Sequence, residues 1–165
     1  MFLTVHAATS ALIGKKIINP FFSFIVAFIF HFIIDMIPHG DRDYGKRVFD
    51  SRFQRFRDEE KFKRMSAYLL IDCIAMVYFL LYLFKNFHWA KDDGVEWAIV
   101  GGILPDFLIG FFMVTKSKWL RKFFSFHHKV HYLLVNKMNW DWPLLVGIFM
   151  QIVLMTILSL LIYAA

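Results

Sequence analysis

The chain has 165 residues, 59% hydrophobic and 19% aromatic, with 19 Lys and Arg against 13 Asp and Glu. That apolar content exceeds what a soluble domain of this size carries, so the whole of 1–165 reads as one integral-membrane domain. The lone cysteine, Cys73, excludes an intrachain disulfide, and the basic charge is better explained by membrane topology than by nucleic-acid binding.

A helix needs about 20 apolar residues to cross the hydrocarbon core. The first stretch, FLTVHAATSALIG, is shorter and carries His6, so residues 1–14 are expected to form a tilted, re-entrant or interfacial helix. Lys15 and Lys16 follow the apolar run and no basic residue precedes it, which fits a cleaved signal peptide poorly. Pro20 then opens a predicted span over 20–37, in FFSFIVAFIFHFIIDMIPHGD. His31 and Asp35 lie four apart, hence on one helix face. His39 follows one turn later, beyond Pro38, which ends or bends the helix.

Residues 42–65 are rich in Lys and Arg with Asp and Glu among them, and read as a basic amphipathic loop at the membrane surface. A second span over 66–84 holds Asp72, and a third over 96–114 holds Gly101, Gly102, Pro105 and Asp106. Residues 115–141 form a second basic loop containing His127, His128, Lys129 and His131, and 142–164 form the last span. Trp89, Trp97, Trp119, Trp140 and Trp142 flank the apolar runs, as interfacial aromatics do. The positive-inside rule places 42–65 and 115–141 in the cytoplasm. The expectation is an all-α, polytopic bundle of four to five segments in the cell (inner) membrane.

Ionisable side chains are costly in hydrocarbon, so those retained there face a cavity, a partner or a metal. In this topology His6, His31, Asp35, His39, Asp72, Asp106, His127, His128 and His131 all fall within roughly 15 Å of the cytoplasmic face. The spans pair carboxylates and imidazoles with almost no Lys or Arg, which calls for a cation. Mixed N and O ligands suit zinc, with manganese or iron as alternatives. His6, His31, Asp35, His39, Asp106, His127, His128 and His131 exceed what one tetrahedral ion uses, so two or more ions are expected. Asp35 or Asp72 is a candidate general base, and Lys129 a candidate for holding phosphate charge.

The segments HAATSALIG, HFIIDMIPHGD, GGILPD and HHKVH, in that order, resemble the membrane-bound metal-dependent hydrolases distantly related to zinc-dependent phospholipase C. The resemblance implies metal ligation by His6, Asp106 and His127 or His131. With the ligand set, the expected activity is phosphoester hydrolysis by a metal-bound hydroxide, and a site one or two turns below the cytoplasmic surface best fits a phospholipid or polyprenyl phosphate. Here LPD runs into FLIG, and HHKVH lacks the Arg-Gly and Thr of the family's late motif. No G-x-S-x-G elbow or P-loop is present, which removes the parts a serine esterase or NTPase needs. Two other classes use the same ligands: a divalent-metal transporter, which needs polar residues continuing to the outer face, and a structural protein stapled by its metal.

Overall fold

The computed structural model describes residues 1–41, 49–50, 55–56 and 59–164, and the chain forms an all-helical bundle. Three helices are long and apolar enough to cross a membrane: residues Ser66–Asn86 of α3 (Glu59–Asn86), α4 (Asp93–Thr115) and α7 (Leu144–Ala164). They coincide with the spans expected from hydropathy. A 3-10 turn, His88–Lys91, joins α3 to α4. The end of the bundle where Ser66, Thr115 and Leu144 lie is called the site end here, and the other the turn end.

The first two helices are shorter, and α1 (Leu3–Lys16) is the best buried of all: Val5, Ala7, Ala8 and Ala11 have no exposed surface. It is therefore a central helix, neither interfacial nor lipid-facing. α2 (Pro20–Asp35) ends two residues earlier than hydropathy suggests and, at 16 residues, is shorter than a full span. Its start is set locally: Pro20 occupies the first turn, and the Asn19 side chain accepts the Phe22 N–H at 3.1 Å. Its end precedes Pro38, which disfavours helix at the residue before it.

α1 packs on α4 through small residues. A Cβ on Gly14 would lie 2.5 Å from the Gly94 carbonyl oxygen and 2.5 Å from Val95 Cα, and one on Gly94 would lie 2.5 Å from the Ile17 carbonyl oxygen. Close backbone approach of this kind is how membrane helices gain packing energy without a hydrophobic drive. α3 and α7 pack on other sides of α1, closing an apolar core of Val5, Leu83, Val95, Ile99, Leu158 and Ile162.

Residues 115–141 are more ordered than a loop. They form α5 (Leu120–His131) and α6 (Leu133–Met138). Phe124, His127 and His131 face the bundle, while Phe126 and Trp119 point outward. The basic loop expected over 42–65 lies largely outside the described residues. Within it β1 (Phe49–Asp50) pairs antiparallel with β2 (Arg55–Phe56), Phe49 opposite Phe56.

Candidate metal centre

α2, α4 and α5 bring four side chains to one point. His31 Nε2 lies 3.2 Å from His127 Nε2, 3.4 Å from Asp35 Oδ2 and 3.7 Å from Asp106 Oδ1. His127 Nε2 lies 3.5 Å from Asp35 Oδ2 and 3.4 Å from Asp106 Oδ1. An ion with bonds of roughly 2.0–2.2 Å has tetrahedral ligand edges of roughly 3.3–3.6 Å, so the spacing fits one metal with four ligands.

The protonation pattern fits as well. His31 Nδ1–H donates to the Gly102 carbonyl at 2.7 Å, so in the neutral ring Nε2 carries a lone pair towards the cluster. Asp35 is 1% exposed, and its Oδ2 accepts no hydrogen bond among the described residues. The Met1 ammonium, 3.0 Å from Oδ1, balances part of the buried charge, and Oδ2 is left for a further cation.

A second group shares Asp35. With His39 and His131 it makes another set whose ligand atoms lie within 4.8 Å of one another. Asp41 Oδ2 stands 3.4 Å from both His39 Nε2 and His131 Nε2 and extends this set. The two groups of buried His and Asp can each hold a metal ion.

The segment that carries His39 and Asp41 is not helical, and its shape is imposed. Gly40 has φ +86°, in the left-handed region that glycine tolerates, and its N–H donates to Asp141 Oδ1 at 2.9 Å. Gly147 of α7 has no side chain to block the His39 carbonyl. The His39 ring is then fixed by Nδ1–H donating to Ile37 O at 2.7 Å, which leaves the Nε2 lone pair facing the cluster, where it meets the Met1 amine at 2.9 Å. Burial lowers the His131 ring to about 4, against the pull of Asp41 and Asp35, so at neutral pH it is uncharged and able to bind a cation.

His6 sits beside the cluster rather than in either group. Its ring stacks on His31 with centroids 4.0 Å apart, and Nε2–H donates to Asp35 Oδ1 at 3.0 Å. The Met1 amine donates to the same oxygen at 3.0 Å and lies 2.9 Å from His39 Nε2.

Four sequence expectations are corrected, the first being His6 as a ligand, since it holds Asp35 from outside both groups. Asp72 is not poised as a base: Oδ2 accepts Leu3 N–H, and Oδ1 accepts the Thr4 hydroxyl at 2.6 Å and Thr4 N–H at 3.3 Å. It caps the start of α1 from a neighbouring helix, where the helix dipole favours a negative charge. Lys129 is exposed on the opposite face of α5 from His127 and His131 and does not line the cavity beside the cluster. His128 stacks on Phe124 and lines the adjoining cavity but joins neither metal group.

Asp41, which closes the HFIIDMIPHGD stretch, joins the second group, and Gln151 is a site residue that the sequence reading missed. Gln151 Oε1 accepts Phe2 N–H at 2.7 Å, a second clamp on the start of α1. A lone glutamine within the apolar run of α7 was the available signal. Comparison of the chain with family models, curated proteins and solved structures gives no match.

Proposed function

We propose that this protein is an integral-membrane metal-dependent hydrolase that cleaves a phosphoester of a lipid or polyprenyl substrate. The observation that carries the reading is the four-atom cluster of His31, Asp35, Asp106 and His127, at tetrahedral spacing and opening onto a cavity. Zinc is the ion that best suits this ligand set, with manganese or iron as alternatives, and Asp35, which belongs to both groups, would help to hold an ion in either. When bound, such ions acidify a water and polarise a phosphoryl oxygen.

The chain's own residues prepare that chemistry. Gly102 and Ile37 hold the rings of His31 and His39 with Nε2 aimed inward. His6 holds Asp35 from its other oxygen, as a partner outside the ligand shell. The absence of cysteine from both groups favours a reactive site over a closed structural one.

The depth suits a lipid. Asp106 lies nine residues before Thr115, so the cluster sits about 14 Å below the site end. By the positive-inside rule that end is cytoplasmic, since Arg121, Lys122 and Lys129 lie beyond it. A transporter would need a polar route past the cluster. Among the described residues the packing on that side is apolar, through Val5, Leu83, Val95 and Ile162.

Elemental analysis of protein purified without chelator, followed by hydrolysis assays on lipid phosphoesters, tests the reading. Near-stoichiometric metal is expected, with metal and turnover both lost in Asp106→Ala. Metal without turnover on any lipid phosphoester would leave the metal-stapled structural protein.

A further inference from the structure

α3 and α4 both lean on α1, and they are bridged to each other by the 3-10 turn at the turn end without forming a packed interface of their own. α1 starts only at Leu3, level with Asp72, so it does not fill the space between α3 and α4 on the site-end side of the cluster. That space is a cavity of about 300 Å³. Asp106, His127 and His131 stand at its inner end, and Leu69, Ile109, Gly110, Met113, Leu144 and Ile148 line its walls. Tyr68 and Leu69, which line it from α3, are 43% and 49% exposed, so among the described residues this wall is not covered by another helix.

Gly110 differs from the other described glycines. Gly14, Gly40, Gly94, Gly101, Gly102 and Gly147 each meet another backbone or side chain where a Cβ would stand, whereas a Cβ on Gly110 would meet nothing within 4 Å. Helix packing does not require glycine there, and glycine in a helix interior costs about 1 kcal/mol relative to alanine. What its small size does is leave the cavity open.

We propose that the cleft between α3 and α4 is a side entrance from the bilayer. Through it one hydrocarbon chain of an amphiphilic phosphoester lies against Gly110, with its phosphate at the His and Asp cluster. The assignment rests on the hydrolase reading for the phosphate and on the shape of the bundle for the chain. A cavity of about 300 Å³ is at the small end of ligand pockets, so it takes the phosphate and the first part of one chain while the remainder stays in the bilayer. Gly110 thereby sets the bulk of chain that the site accepts.

The full-length, metal-loaded protein in lipid nanodiscs is compared with Gly110→Trp, which fills the cleft, and Gly110→Ala, which does not. Metal content equal to wild type checks that the bundle is intact. Turnover of long-chain phosphatidic acid is divided by turnover of water-soluble p-nitrophenyl phosphate, and a phosphatidic acid carrying a diazirine in its chain is photo-crosslinked and mapped by mass spectrometry. The ratio is expected to fall at least roughly tenfold in Gly110→Trp and to hold in Gly110→Ala. Crosslinks at 69 and 109–113 in wild type should disappear in Gly110→Trp. An unchanged ratio with crosslinks elsewhere overturns the entrance and leaves the hydrolase standing. Crosslinks at those positions with no turnover of either ester uphold the entrance and remove the hydrolase. Soluble-ester turnover in wild type with no lipid turnover and no crosslinks identifies a free phosphoester as the substrate and overturns the proposal.

Discussion

The two ends of the α1–α4 pair are built differently. At the turn end backbone meets backbone: Gly14 lies on Gly94 and Val95, and Ala7, Ala8, Ala11 and Ala98 have no exposed surface. Towards the site end α4 meets α2 and α5 through carboxylates and imidazoles beside a cavity, although Gly102 still packs on Ser10 of α1. The first arrangement stabilises the bundle. The second spends stability on buried polar groups, and it becomes favourable only when those groups are matched by a cation.

That contrast makes predictions, the largest first. Asp35→Ala removes the ligand common to both groups, so metal affinity should fall at least roughly tenfold. His39→Ala should spare the group made by His31, Asp35, Asp106 and His127. Metal per chain by mass spectrometry separates the two variants, and equal loss in both would mean that the groups are not distinct. Hydrogen exchange on the chelated protein should rise at the site ends of α1 and α5 while the turn end stays protected.

Gly94→Ala attacks the turn end. Its Cβ would meet the Ile17 carbonyl oxygen at 2.5 Å, where only backbone movement gives relief, so the thermal midpoint should drop by the equivalent of ~1–3 kcal/mol. Metal content per folded molecule should not change, and its loss would show that the two ends are one cooperative unit.

Asp72→Asn keeps the shape of the α1 cap but removes its charge. A loss of about 1–2 kcal/mol in stability is expected, with metal retained, because Asp72 holds the backbone of α1 rather than an ion. Metal loss on that substitution would return Asp72 to the metal centre.

The smallest effect is a pH dependence. Burial holds the folded-state ring of His131 at about 4 against an ordinary 6.5. Between those values the unfolded chain takes up a proton that the folded one does not. The stability of the metal-free protein therefore falls as pH drops from about 6.5 towards 4, and His131→Gln should flatten that part of the profile. Thermal melts across the window measure it.

The long spans were legible in the sequence because uninterrupted apolar runs of that length have one explanation in a bilayer. The gathering of His31, Asp35, Asp106, His127 and His131 was legible too, because topology alone puts them at one depth. The central position of α1 was not. Its Ala, Gly, Thr and Ser residues carry little hydropathy, and the close contact they permit depends on the glycines of α4, about eighty residues on. Asp72 was misread because its partners are backbone N–H groups, which every residue has and no sequence pattern marks. Lys129 could have been placed correctly, since the four-residue spacing that pairs His127 with His131 turns the residue midway between them to the other side of a helix.

α1 also imposes an order on assembly. It leaves the ribosome before α3, α4 and α7, yet those three bury it, and the caps on its first amides come from Asp72 and Gln151. Its final seat does not exist until α7 has been made, so α1 precedes its partners in synthesis and is fixed only after the last of them. The cluster that depends on it, through His6 and Asp35, then forms as the closing event of biogenesis, and a chain truncated before α7 would expose its polar face to lipid.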